Sequence, residues 1–303
     1  MPFDVVIVGG GPAGLSAALA LGRARKRVLL CDSGLRRNAA AKHIQNFVTR
    51  DGTPPDEFRR IGRQQLEAYK SVEVRDVRVE SITGTRGAFH VELPTETVEA
   101  RRIILCTGMI DDLPDIEGFR EFSGSSIFQC PYCHAWEVQN RRFGALVASV
   151  EMLDFAILLR GWTSDILAFT DGKFSVPSEV HERLNKAGVR LEERRIHRLV
   201  GTEGHLERVA LEDGATIDLD VLFARPLQRQ VPVVSSLELT LNPMGYVLVD
   251  EMHRQTSVPG IYAAGDLVTP AQAAIMAAST GMFAAASLNH ELTIELATQG
   301  LLV

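Results

Sequence analysis

The sequence predicts an α/β protein built on two strand–turn–helix–strand units of the kind that hold dinucleotides. Three stretches predict it. Residues 4–32 read DVVIVGGGPAGLSAALALGRARKRVLLCD, residues 141–172 read RRFGALVASVEMLDFAILLRGWTSDILAFTDG, and residues 256–288 read TSVPGIYAAGDLVTPAQAAIMAASTGMFAAASL.

In the first stretch, Asp4 to Val8 form a nearly all-apolar run, which suits a parallel strand buried on both faces. Gly9, Gly11 and Gly14 follow as G-x-G-x-x-G, with Pro12 and Ala13 inside the motif. The first glycine makes the turn, the second lets a pyrophosphate reach the backbone, and the third lets the helix pack against the strand. The phosphates then face the free N–H groups of the helix N-terminus. Asp32 ends the next strand, where a carboxylate accepts ribose hydroxyls. A glycine motif alone is a weak signal; strand, helix and terminal acid in register make it a strong one.

The chain has 303 residues, enough for two ordinary domains, with 46% hydrophobic and 23% charged residues, as in a globular protein. A net charge of -6 argues against a nucleic-acid partner. No apolar run approaches the roughly 20 residues that cross a bilayer, so no membrane role is expected. The chain starts almost directly with a strand, leaving no room for a signal peptide, and the expected location is cytoplasmic, where thiols stay reduced.

Four cysteines are too few for a disulfide scaffold. Cys31 and Cys106 lie in apolar strand-like runs and read as buried core thiols. Cys130 and Cys133 lie in CPYCHAWEV. The pair can bind metal, form a staple or move electrons. Structural zinc needs about four ligands; there is no second Cys-x-x-Cys, and beyond His134 no fourth ligand stands out, so no metal is assigned. A redox pair is the better reading.

A redox pair needs an electron carrier. The stretch 256–288 places Gly265-Asp266 between an apolar strand and a long helix of small residues, and IILCTGMIDDLP ends a strand in Thr107-Gly108. Taken in order, the GGGPAG start, the Thr-Gly crossover, the mid-chain Cys-x-x-Cys and TSVPGIYAAGD make the whole chain resemble the low-molecular-weight thioredoxin reductases and related FAD-dependent disulfide oxidoreductases.

The resemblance implies two Rossmann-like domains, the second inserted into a discontinuous FAD domain: residues 1–112 and 244–303 for FAD, and 113–243 for the inserted NAD(P)-binding-like domain with the cysteines. The crossings would fall in the turn-rich MIDDLPDIEG and LTLNPMGYV. It implies FAD held by Gly9, Gly11, Pro12, Ala13, Gly14, Asp32, Val77, Thr107, Gly108, Gly265 and Asp266. Asn46 would lie near the flavin ring, and Gln272 and Ala273 would offer N–H groups to its pyrimidine edge. The family usually has Arg just before that Gln; here Ala271 stands there. Cys133 would face the flavin and Cys130 exchange with the external substrate. The family is usually homodimeric, and Phe58, Ile61 and Tyr69 suit a dimer face or core packing equally.

Two features depart from the reductase pattern. His134 stands where reductases often carry an Asp, and a group near its free pKa of about 6.5 acts as base as readily as acid. C-x-x-C-H resembles the flavin-dependent dithiol oxidases of the superfamily. The blander reading is that His134 caps or solvates its helix, which begins near Pro131 and whose dipole would lower a thiol pKa. Second, the loop after the strand 143–147 runs Ala148-Ser149-Val150-Glu151-Met152, with no glycine. Side chains crowd a pyrophosphate there and Glu151 repels it. Asp171 stands where a 2′-phosphate wants a cation, with Lys173 as a weak substitute, so NADPH is doubtful.

Three readings stay open: a dithiol oxidase passing electrons through Cys130–Cys133 to FAD and then O2; a thioredoxin-disulfide reductase fed by atypically bound NADPH or a donor such as ferredoxin; and a non-catalytic flavin redox sensor. The substrate is a thioredoxin-like protein or a small dithiol or disulfide. Arg59, Arg60 and Arg63 read as a solvated helix face, and His43, His181 and His253 as surface histidines. Arg225-Pro226 replaces a family turn without a functional reading.

Overall fold

The structure, a computed structural model, describes residues 1–301. It divides into two compact units: residues 1–39, 47–110 and 228–301 form unit 1, and residues 40–46 and 111–227 form unit 2.

Unit 1 opens with β1 (Phe3–Val8), α1 (Pro12–Arg23), β2 (Val28–Cys31), α2 (Pro55–Leu66), β3 (Val72–Arg75), β4 (Ser81–Thr85), β5 (Ala88–Leu93) and β6 (Glu96–Leu105). After the short β7 (Ile110–Asp112) come the elements of unit 2: α3 (Phe119–Phe122), β8 (Ile127–Phe128), α4 (Pro131–His134), β9 (Phe143–Leu146), α5 (Leu153–Leu158), β10 (Ile166–Phe169), α6 (Ser178–Lys186), β11 (Val189–Glu192), the meander β12 (Ile196–Thr202), β13 (His205–Leu211) and β14 (Thr216–Asp218), then β15 (Val221–Ala224). The chain returns through β16 (Leu227–Arg229) and α7 (Pro232–Ser235) to β17 (Ile261–Ala263) and α8 (Ala274–Thr298).

In unit 1 the strands lie in the order β3-β2-β1-β6-β5-β4, with β17 also on β6. β1 pairs in parallel with β2 and β6, and β6 with β17. Val8 is level with Cys31 and with Leu105, and Leu105 with Ala263. Four parallel strands therefore end together, and the loops that follow them leave one edge. In open parallel sheets this carboxyl edge is where ligands bind.

One face of the sheet is covered by α1 and α8. Their close approach explains the small residues of α8: a Cβ on Gly281 would lie 2.1 Å from the Ala13 carbonyl oxygen. The other face packs Val6, Val8, Leu29 and Ile103 against Val233, Val234, Leu239, Tyr246 and Val247. That packing draws residues 228–243 into unit 1. The second crossing thus comes at Leu227–Gln228, ahead of the turn-rich stretch near residue 243 that the sequence suggests.

Unit 2 carries a parallel sheet in the order β11-β10-β9-β15-β8. Phe128 is level with Phe223, Ala224 with Leu146, and Leu146 with Phe169. Cys130, Arg225, the loop after β9 and Asp171 therefore follow the carboxyl edge of one sheet. Cys31 and Cys106 are buried, and burial pushes the Cys31 thiol up to about 12 and Cys106 further up still. Both are inert core thiols. Among the described residues no helix is long and apolar enough to cross a membrane, and no group of three or more His, Cys, Asp or Glu could hold a metal ion.

Candidate active site

The glycine loop of unit 1 separates three jobs. Gly9 has φ +111°, and a Cβ there would lie 2.3 Å from the Cys106 carbonyl oxygen, beside Thr107. A Cβ on Gly14 would lie 1.8 Å from the Gly9 carbonyl oxygen. Both glycines are required by the protein itself. Gly11 is different: its φ of -78° suits any residue, and a Cβ there would meet open space. Nothing in the fold requires glycine at position 11, so the requirement points outward, to a group that approaches the backbone at the start of α1. Pro12 and Ala13 begin that helix. This cradle fits the pyrophosphate of a dinucleotide.

Asp32 follows β2 and is 4% exposed. Its Oδ1 accepts the Gly34 N–H at 3.0 Å, and its Oδ2 accepts from Arg63 at 2.8 Å and from Arg59. Burial alone would raise its pKa, but the Gly34 N–H and the two guanidinium groups outweigh this and hold the carboxyl below its ordinary value. The solvated-face reading of Arg59, Arg60 and Arg63 is therefore corrected. Arg60 pairs with exposed Glu57, but Arg59 and Arg63 turn inward from α2 onto Asp32, and Arg63 also bonds Asp76. The Nε atoms of Arg59 and Arg63 are buried without a partner. Polar groups left so beside a buried carboxylate fit a site made for a ligand. Phe58 of the same helix packs on Phe47, with ring centroids 5.2 Å apart.

Gly265 (φ +80°) sits against the Ala13 methyl, so Gly265-Asp266 adjoins the glycine loop. Asp266 accepts from Arg37 Nη1 at 3.1 Å, and Arg37 also bonds Gln272 Oε1. Gln272 and Gln228 exchange amide bonds at 2.8 and 3.1 Å, and Tyr246 donates to Gln228 at 2.8 Å. Ala273 caps α8. Gly108 has φ +66° and, like Gly11, open space where its Cβ would be. Val77 packs at the margin of the core below β1 and β6. The fold thus gathers the glycine loop, Asp32, Thr107-Gly108 and Gly265-Asp266 at one sheet edge, with Gln272 and Ala273 leading into α8. Arg37, Arg59 and Arg63 are additions that sequence reasoning missed.

Asn46 goes with unit 2. It has φ +61°, and its Nδ2 donates to the Tyr132 carbonyl at 2.6 Å, while Gln45 donates to Glu137 at 3.0 Å. These bonds tie the segment 40–46 to the cysteine helix.

In unit 2, Cys130 is the N-cap of α4, a single turn. Cys133 donates its S–H to Cys130, with the two Sγ atoms 2.7 Å apart. The Cys130 thiol is lowered to about 7, chiefly because Cys133 donates its S–H to it; burial opposes, and the Cys133 and Tyr132 N–H groups and the Arg225 charge assist. A helix of one turn has little macrodipole, so these local donors replace the helix dipole as the cause. Arg225 itself is braced over Phe155, 4.9 Å from the ring centroid.

His134 lies four residues beyond Cys130, on the same side of the turn. Its ring stacks flat on Phe128, centroids 4.4 Å apart and planes 10° apart, and its Nδ1 is buried without a partner. Burial lowers its pKa below the ordinary value, Glu137 pulls it up, and His43 pushes it down. His43 thus belongs to the electrostatics of this site, through the docked 40–46 segment. His181 and His253 instead pair with Glu193 and Asp250. At the same edge, the loop after β9 forms a 3-10 turn at Val150–Met152, and Glu151 is lowered chiefly by a bond from Ser149. Lys173 pairs with Asp171 at 3.2 Å.

Known proteins give this arrangement a place. The family model described as pyridine nucleotide-disulphide oxidoreductase matches residues 3–285. The thioredoxin reductase tcpT of Claviceps purpurea is 32% identical over 87% of this chain and 86% of its own. The thioredoxin reductase sirT of Leptosphaeria maculans is 29% identical over 95% of this chain and 94% of its own. Among solved structures, an oxidoreductase from Agrobacterium tumefaciens is 38% identical with a TM-score of 0.91, covering 97% of this chain and 99% of that one. With its glycine cradle, its cysteine pair and these relatives, the chain belongs to the pyridine nucleotide-disulphide oxidoreductase family, as a thioredoxin reductase-like oxidoreductase.

Proposed function

We propose that the protein is an FAD-dependent dithiol oxidase. The observation that carries this reading is His134: an imidazole fixed flat on Phe128, with a buried, unpartnered Nδ1 and a pKa below the ordinary value. It is neutral at pH 7 and able to accept a proton from an incoming thiol. An acid donor would need the opposite, a pKa held up.

The residues of the chain act in sequence. His134 takes the proton of a substrate thiol. The substrate thiolate attacks Cys130 Sγ of the oxidised pair, breaking the Cys130–Cys133 bond and releasing Cys133 as thiolate. The second substrate thiol then displaces Cys130, whose low pKa makes it a good leaving group. The products are the substrate disulfide and the reduced pair, two electrons and two protons having moved from one to the other. Gly9, Gly11, Gly14, Asp32, Thr107-Gly108, Asp266, Gln272 and Ala273 would hold FAD, which would supply a two-electron acceptor for the reduced pair, with O2 as the final oxidant and hydrogen peroxide as its product. In this reading Cys133 would be the cysteine that faces the flavin.

The β9 loop supports oxidation without pyridine nucleotide. It carries no glycine, opens into a 3-10 turn with an ionised Glu151, and has Lys173 paired with Asp171 rather than free for a phosphate. A second reading, reduction of a disulfide with electrons from a nicotinamide nucleotide, is favoured by the family match, which runs through the inserted unit. Anaerobic mixing with NADPH or with a dithiol decides between them: bleaching of the flavin by the dithiol alone supports the oxidase, and rapid bleaching by NADPH supports the reductase. The substrate is a small dithiol or a thioredoxin-like protein, and the site of action cytoplasmic. A homodimer is part of the proposal, since α8 leaves Ile275, Met276, Met282 and Phe283 exposed. Sedimentation of a monomer at micromolar concentration would remove it.

A further inference from the structure

We infer that Arg37 balances the Asp266 carboxylate at the far end of the dinucleotide cradle, and through it sets the reduction potential of the bound flavin. The inference rests on the FAD reading above.

The loop after β2 turns away from Asp32 and brings Arg37 to Asp266, at 3.1 Å, and to Gln272. Both members of the ion pair are mostly withdrawn from solvent, their side chains 20% and 25% exposed. The guanidinium is held in place because Gln272 is itself locked to Gln228, which Tyr246 holds in turn. The direction of the ligand follows from the sheet edge. A dinucleotide with its ribose at Asp32 and its pyrophosphate at Gly11 extends its second half past Ala13, toward Gly265-Asp266, which sits against that residue. A carboxylate there opposes any group that gains negative charge on reduction, and flavin does. Arg37 cancels that opposition in a setting shielded from water, where charge interactions are strong. Ala271 offers no cation of its own. In sequence, Arg36 and Arg37 are only two charges in a loop; the fold sends Arg36 to Asp56 on the surface and Arg37 to Asp266.

The test is the flavin midpoint potential, measured by dye equilibration, in four variants reconstituted with FAD. Arg37→Gln moves the potential to a more negative value and weakens sulfite addition to the oxidised flavin about tenfold, because sulfite also puts negative charge on the ring. Arg37→Lys stays near wild type. Asp266→Asn moves the potential up, and Arg37→Gln with Asp266→Asn returns it toward wild type. A purely structural Arg37 would give no such recovery. An unchanged potential in Arg37→Gln, or a potential in Asp266→Asn that does not rise, overturns the inference. Should Arg37→Gln fail to hold flavin, Arg37→Lys and Asp266→Asn decide alone. A wild-type protein that takes up no FAD sinks the underlying reading too, and is told apart because no variant then differs from it.

Discussion

Cys133 donates its thiol proton to the sulfur of Cys130, 2.7 Å away, and this single bond is the largest influence on the more acidic thiol of the pair. Cys130 therefore titrates at about 7. Alkylation of the reduced protein at Cys130 should rise through pH 7 and level off near pH 8. In Cys133→Ala the donor is gone, the thiol returns toward its ordinary value, and alkylation at pH 7 slows by about tenfold. Stability follows the same sign. The folded-state pKa lies below the unfolded one, so the contribution is complete above the unfolded value and is lost as pH falls through 7. An equal alkylation rate in both proteins at pH 7 would show that the bond does not set Cys130.

The glycine loop gives a paired prediction. Gly14→Ala places a methyl into the Gly9 carbonyl, and should cost about 3 kcal/mol or more of stability, read by chemical denaturation. Gly11→Ala meets only open space and should leave stability within about 1 kcal/mol of wild type, while FAD affinity drops by an order of magnitude or more. Equal FAD affinity in Gly11→Ala and wild type would mean that nothing approaches this backbone.

Asp32 anchors two arginines from α2. Asp32→Ala leaves Arg59 and Arg63 facing each other without their carboxylate, and should destabilise the protein by about 3 kcal/mol while lowering its FAD content. Asp76→Ala touches only the exposed partner of Arg63 and should cost about 1 kcal/mol or less. Similar losses in both would show that the inward pair carries no special weight.

His134→Gln should slow substrate thiol oxidation by roughly a hundredfold at neutral pH. The wild-type rate should fall only below the ordinary imidazole range, because burial depresses the His134 pKa and keeps the ring neutral above it. That acid limb should vanish in the variant. His43→Gln removes a charge that pushes His134 down, so the limb should move to higher pH. A rate unchanged in His134→Gln would leave the residue as packing on Phe128.

Much of this was legible in the sequence, and the gaps have a common cause. The all-apolar run of β1, the glycine spacing and Asp32 identify the cradle because their periodicity is local. The Cys-x-x-Cys identifies the candidate redox pair for the same reason. Arg59 and Arg63 were not legible: on an isolated α2 they are indistinguishable from Arg60, and only the packing of α2 against α1 turns two of the three inward. Arg37 and His43 lie in loops whose partners are far along the chain, Asp266 and His134. The local origin of the low Cys130 pKa is hidden in the sequence, because helix length, one turn, cannot be taken from a Pro at its start. Residues 228–243 join unit 1 through Val233, Val234 and Leu239, whose burial no turn signal reveals.

The most direct test of the account is stopped-flow reduction of the flavin without oxygen. The wild-type protein, reconstituted with FAD, is mixed with NADPH in one experiment and with a dithiol such as dithiothreitol in the other, with Cys130→Ser as control. The expected result is bleaching by the dithiol that requires Cys130, little bleaching by NADPH, and stoichiometric hydrogen peroxide when air is readmitted. Fast, saturable bleaching by micromolar NADPH, with the dithiol inactive, would contradict it and make the protein an ordinary nicotinamide-fed disulfide reductase.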